Sequence, residues 1–219
     1  MTDRADVPSG GLKVKDSFPQ SERKELADAL CSQFMGREER MLALVRRYFS
    51  VEDLLAIKSR LIGSGFIGGK TLGMLLSRAI LKADRDGGWD PLLEPHDSFF
   101  VGTDVFDSFI EHNGWGDIAR DQRSQAGYLS RAAQLRELFP AGEFPPSIRV
   151  EFRRMLEHYG QFPIIARSSS LMEDGFGNAF AGKYDSFFCV NQGPLEQRLR
   201  QFEAAVRKIY LSTMSEEAL

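Results

Sequence analysis

An arginine at the end of an apolar run, followed at once by three hydroxyls, is a residue set suited to holding an anion. Pro163, Ile164, Ile165 and Ala166 read as a short core strand, and Arg167 emerges where that run meets Ser168, Ser169 and Ser170. A guanidinium stays charged and presents a planar fork of donors that matches phosphate oxygens, while serine hydroxyls and loop amides can complete the shell. The alternative is structural: Arg167 in an ion pair with Glu173 or Asp174 just downstream. Gly175, Gly177 and Gly182 then bracket a loop with the backbone freedom to approach and leave a ligand.

A second anion signal lies upstream, in Gly63-Ser64-Gly65-Phe66-Ile67-Gly68-Gly69-Lys70-Thr71. Glycines let amides come close to phosphate oxygens, a following helix offers its N-terminal amides and dipole, and Lys70 adds a mobile charge. Three readings of the stretch stand side by side. Gly63, Gly65 and Gly68 satisfy G-x-G-x-x-G, but a dinucleotide fold needs a strand before the glycines, where Val51 to Leu61 reads as an amphipathic helix. Gly69-Lys70-Thr71 fits the end of a Walker A loop, whose first glycine would fall at Ser64 and whose preceding strand the pattern lacks. The plainest reading is a glycine turn between two helices.

Other chemistry-bearing types fall away. His96, His112 and His158 share no metal spacing and no nucleophile partner, so they read as surface or interfacial residues. Asp84, Asp86 and Asp90 resemble the start of a calcium loop, but Pro95 stands where the twelfth-position glutamate would be. Phe99, Phe100, Phe106, Phe109 and Trp115 have the spacing of core packing. No metal ligand is assigned. Cys31 and Cys189 lie far apart without a C-x-x-C motif, so two free thiols are expected, Cys189 buried.

The elements that must position Lys70 and Arg167 follow from periodicity. Residues 1 to about 20 have too few apolar side chains to offset ordering entropy and read as a disordered arm. Residues 21–60 form a helical extension: a hairpin over Ser21 to Phe49 broken at Gly36, then a helix through Leu61 capped by Ser50 and Asp53. From residue 61 to 219 a helix over 68–83 carries Leu72, Leu75, Leu76, Ala79 and Ile80 inward. Phe99 to Val101 is strand-like, Thr103 caps a helix to about Asn113, and helices follow over Gln122 to Leu138 and Pro146 to Tyr159. After the Pro163 strand come a strand over Tyr184 to Val190 and a helix from Leu195 bearing Leu199, Phe202, Val206, Ile209 and Met214. The fold class is α+β, helix-rich with a small mixed sheet.

With 219 residues, 42% of them hydrophobic and 27% charged, the chain can bury a sizeable core. A net charge of −3 and a pI near 5.7 give no support for a nucleic-acid or anionic-membrane partner. The N-terminal residues lack an apolar signal core, and no stretch approaches the ~20 apolar residues of a bilayer span. A cytoplasmic location is expected.

Arg167-Ser168-Ser169, Glu173-Asp174, Phe180-Ala181-Gly182 and Phe187, preceded by Gly68-Gly69-Lys70 and Leu72-Gly73, resemble the nucleotide-binding domain of phosphoenolpyruvate synthases and pyruvate phosphate dikinases. The resemblance runs over about residues 60 to 219, including the helix ending AVRKIYLSTMSEEAL. It implies the first part of an ATP-grasp-like domain, with the adenine hinge and magnesium carboxylates in a second half beyond this chain. By position, Gly68, Gly69 and Lys70 would hold ATP phosphates, Arg167 would contact the transferred phosphoryl group, Ser168 would join it, and Gly182 with Ser186 would line the turn over the triphosphate. The cofactors implied are ATP and magnesium, and the partners a nucleotide and the remaining domains of a larger phosphotransferase. Phosphate would pass through a phosphohistidine on another domain to pyruvate or another acceptor, the chain alone being inactive. The sequence departs from the family in having Thr71 directly before Leu72-Gly73, Ser186 where threonine is usual, and Lys183-Tyr184 at positions often held by glutamine. A P-loop kinase or NTPase, and a noncatalytic assembly module that keeps the fold, are the other classes.

Overall fold

The computed structural model describes residues 19–94, 96–171 and 184–219. The arm read at residues 1 to 20 falls almost wholly outside them. Three short helices come first: α1 (Gln20–Phe34), α2 (Glu39–Tyr48) and α3 (Val51–Ser59). Gly36 adopts φ +101°, a left-handed conformation that ends the first arm of the hairpin. The expected cap of α3 is a reciprocal capping box: the Asp53 amide donates to the Ser50 hydroxyl, and the Ser50 amide donates to the Asp53 carboxylate at 2.9 Å.

The helix does not run through Leu61. Leu61 and Ile62 form β1, paired in parallel with β2 (Phe100–Val101), and the Phe100 amide donates to the Arg60 carbonyl at 2.9 Å. A strand of two residues is too short to show an alternation, so its apolar pair passes for the end of a helix. α4 (Gly69–Ala83) buries Leu72, Leu75 and Leu76 but leaves Ile80 exposed. After a turn stitched by Asp84, which accepts from the Trp89 indole at 2.9 Å, come β2 and α5 (Thr103–His112). Gly102, not Thr103, is the N-cap of α5, and the Thr103 hydroxyl instead accepts the Phe66 amide at 3.1 Å.

The helix expected from Gln122 to Leu138 starts only at Tyr128 as α7 (Tyr128–Leu138), and an unexpected helix, α6 (Gly116–Gln122), precedes it with a break between the two. Ser124 makes the break, donating from its hydroxyl to the Asp121 carbonyl at 2.6 Å and accepting the Gly127 amide at 3.1 Å. α8 (Pro146–Tyr159), β3 (Ile164–Arg167), β4 (Ser186–Cys189) and α9 (Leu195–Ser212) complete the chain. β3 and β4 pair antiparallel, so the parallel and antiparallel pairings sit in two separate two-stranded units among the described residues.

Two apolar clusters hold these elements. One joins α5, α7, α8 and α9 through Phe109, Leu135, Phe152 and Leu199, and includes Ala166 and Cys189 on the inner face of the β3–β4 pair. Several of its ring pairs pack edge to face, as between Phe152 and Phe202 at 4.9 Å. The other joins the first three helices to α4 and β2 through Phe34, Leu54, Leu72 and Phe100. Each fully buried large side chain contributes roughly 1.5–3 kcal/mol. The β3 run is less buried than its apolar residues suggest. One face of a two-stranded unit lacks a cover, and Ile165 and its register partner Phe188 both point there.

Candidate functional site

The two anion signals meet. The Gly69 amide donates to the Ser170 carbonyl at 2.8 Å, and the Thr71 amide donates to the Ser169 hydroxyl at 3.0 Å across 98 positions of sequence. At Gly68 a Cβ would stand 1.6 Å from the Ser169 carbonyl oxygen, so only glycine lets the start of α4 lie this close to the serine loop. Arg167 ends β3 opposite Ser186 in register, and both are exposed on the outward face of the pair. Ser168 is buried and Lys70 half-buried.

The far end of the β3–β4 pair is pinned independently. Asn191, in the left-handed region at φ 55°, donates to the Gly160 and Phe162 carbonyls at 3.1 and 2.8 Å. The buried Arg198 guanidinium donates to Leu156 O at 2.8 Å and to Gly160 O at 2.6 Å, satisfying carbonyls at the C-terminus of α8. A fixed hinge at this end lets the register carry Arg167 to a defined place at the other.

Gly68, Thr71, Arg167 and Ser168 to Ser170 form one wall of a cleft of about 470 Å³. Phe99, Phe106, Phe202 and Tyr210 line the same cleft and give it aromatic surface. The Tyr210 hydroxyl is buried with no hydrogen-bond partner among the described residues, and burial pushes its pKa up. Sequence reading missed Tyr210 as a cleft residue because it sits beside Ile209 on an apolar stripe that accounts for it as packing. Gly182, together with Glu173, Asp174, Gly175, Gly177 and Lys183, lies outside the described residues.

The glycine loop itself is spent. The Gly63 amide donates to Glu151, the Ser64 and Gly65 amides to the Asp104 carboxylate, the Phe66 amide to Thr103, and the Ile67 amide to the Phe34 carbonyl. A strand, β1, does precede the glycines after all, yet the amides that a phosphate-binding loop would aim at its ligand already bind the protein's own acceptors. Two of the first amides of α4 are likewise taken by the serine loop. An external anion here is left to side chains, with Lys70 and Arg167 foremost.

His158 and the two cysteines belong to the packing. His158 Nε2 lies 2.7 Å from Asp97 Oδ2 and 2.9 Å from Arg60 Nη1, and the Phe99 ring lies against the imidazole, so this histidine is interfacial. Both cysteines are buried and free, and burial raises both thiols. Among the described residues no three acidic, histidine or cysteine side chains come together in a group that could hold a metal ion. Magnesium therefore finds no fitting ligand set among the described residues. For ATP the donor set fits: a permanent cation, serine hydroxyls and aromatic surface line one cleft, and Lys70 lies in sequence between its lining residues Gly68 and Thr71. Among the described residues no helix is long and apolar enough to cross a membrane.

No curated protein and no solved structure gives a match to this sequence. The family described as pyruvate phosphate dikinase, AMP/ATP-binding domain, matches residues 64–219, a span that begins within the glycine loop and takes in both anion signals. The chain belongs to the pyruvate phosphate dikinase AMP/ATP-binding domain family.

Proposed function

We propose that this chain is the phosphate-gripping part of a dikinase-like phosphotransferase, in which Lys70 and Arg167 hold the ATP phosphates that are passed, through a phosphohistidine on another domain, to pyruvate or another acceptor. The observation that carries this reading is the junction of the Gly68–Thr71 turn with Ser169 and Ser170, which puts the two family motifs on one surface. Arg167 is the register partner of Ser186 on the adjacent strand, so both side chains leave the same face of the pair, where a guanidinium and a hydroxyl could orient a tetrahedral anion as well as attract it. Lys70, on the first turn of a helix, adds a mobile charge to the same region. Gly68 and Gly69 keep the turn free of side chains, and by the family pattern Ser168 and Gly182 would complete the phosphate-binding set.

Phosphoryl transfer depends chiefly on positioning and charge neutralisation, so these cations would orient the β- and γ-phosphates while magnesium carboxylates come from other parts of the enzyme. The buried free thiols suit a reducing compartment, and the reading places the protein in the cytoplasm. Alanine substitution at Lys70 or Arg167, read by ATP titration of the full chain, tests the assignment. Each is expected to weaken binding by roughly ten- to a hundredfold, the equivalent of one charge-assisted hydrogen bond. Unchanged binding in both variants would reject it.

A further inference from the structure

Asp104, in the first turn of α5, stands where a glycine loop would otherwise receive a ligand. Its Oδ2 accepts the Ser64 amide at 2.8 Å and the Ser64 hydroxyl at 2.9 Å, and its Oδ1 accepts the Gly65 amide at 2.7 Å. Three glycines make room for it: a Cβ on Gly63, Gly65 or Gly102 would approach Oδ1 to 2.7, 2.7 and 2.6 Å respectively. Gly63 also adopts φ +81°, which other residues rarely take. Successive amides converging on one anion are the geometry by which loops bind phosphate. Here the anion belongs to the protein.

The chain between this nest and Lys70 has little slack. The Phe66 amide is held by the Thr103 hydroxyl at 3.1 Å and the Ile67 amide by the Phe34 carbonyl at 2.8 Å, while the Thr103 amide returns a bond to the Phe66 carbonyl at 3.0 Å. Gly68 then rests directly on Ser169. The start of α4 is thus located from one side by the serine loop and from the other by α5 through Asp104.

We infer that Asp104 is a positioning residue: as a built-in anion it fills the nest made by the Ser64 and Gly65 amides and thereby fixes the Gly68-Gly69-Lys70 turn, setting where Lys70 meets phosphate. The inference rests on the phosphate role proposed for Lys70. It also explains why a glycine-rich loop in a nucleotide-binding domain is not itself the phosphate cradle. Its positive end is already neutralised, and its task is to hold the next turn.

Replacing Asp104 with alanine in the full 219-residue chain removes this anion, and a small carboxylate from solution can take its place. The Asp104→Ala variant is expected to lose roughly 5 °C or more in Tm and to bind ATP about tenfold more weakly, as followed by amide shifts in an NMR titration. Sodium acetate is expected to restore both in a concentration-dependent way, because it binds the folded variant. Sodium chloride at matched ionic strength should restore neither, and the wild-type chain should respond to neither salt. Asp104→Asn keeps one acceptor oxygen and fills the space, so it is expected to give an intermediate ATP affinity that acetate does not change. It serves as the measurement if the alanine variant does not fold. An alanine variant indifferent to acetate, or either variant binding ATP as tightly as wild type despite a lower Tm, would overturn the inference. Absence of ATP-induced shifts in the wild-type chain would instead overturn the phosphate reading of Lys70, a separate failure, since the acetate response of Tm decides the nest by itself.

Discussion

Arg167 and Ser186 face each other across β3 and β4, so the guanidinium and the hydroxyl share one exposed strip that only the strand register creates. Arg167 was legible because it ends an apolar run in front of three serines; its partner across the pair was legible only through the family resemblance. Asp104 was not legible at all, since nothing in Thr103-Asp104 says that a carboxylate will reach back 40 positions to a glycine loop. Contacts of that kind are tertiary and leave no local period. Tyr159 offers a pH test at this scale. Burial first, and then the Asp97 charge, push its pKa from 10.0 up to about 12. The folded chain therefore keeps the phenolic proton longer than the unfolded chain, so the stability this provides is complete below about pH 10 and is lost as pH rises through about 12. Its hydroxyl also donates to the Asp97 carbonyl at 3.0 Å. Tyr159→Phe is expected to lower stability at neutral pH by about 1 kcal/mol and to show a shallower alkaline loss, as measured by urea unfolding across pH 8 to 12. An alkaline profile identical in slope to wild type would contradict this.

At the scale of elements, two glycines in or beside α4 make opposite predictions. Gly68→Ala drives a Cβ into the Ser169 carbonyl, so α4 and the serine loop must separate, at an expected cost of about 1–3 kcal/mol and with weaker ATP binding. Gly73, inside the helix, has nothing within 4 Å of an added Cβ, and Gly73→Ala is expected to stabilise by about 0.5–1 kcal/mol without moving ATP affinity. Thermal unfolding of the pair decides both signs. The caps and long periodic helices were the readable part of the fold. The Ser50–Asp53 box matches its sequence signature, and α8 spans the residues its pattern marks, because both are set by local hydrogen bonds and one apolar stripe. The strand at Phe100–Val101 was readable from its apolar run, whereas β1 and the break between α6 and α7 were not. The first is too short for an alternation, and the second depends on a serine side chain competing with the helix backbone.

For the whole molecule, the first three helices share a cluster with Ile67, Leu72, Leu75 and Phe100, so the residues that carry the glycine turn pack on the N-terminal helices as well as on the serine loop. Removing residues 19–60 would uncover that apolar face of α4, and the shortened chain is expected to lose cooperative unfolding and to expose dye-binding surface; a cooperative transition retained at the same Tm would show the extension to be dispensable. The chain by itself is expected to bind ATP only in the high-micromolar to millimolar range and to release no phosphate from it. The central claim is that Lys70 and Arg167 act on one bound phosphate group. In an NMR titration of the full chain with ATP, amide shifts are expected to concentrate at residues 68–71, 167–170 and 184–186 and to be reduced across all three segments by either Lys70→Ala or Arg167→Ala. Shifts centred on Ser64 and Gly65, or shifts near Arg167 that persist unchanged in the Lys70→Ala variant, would contradict it.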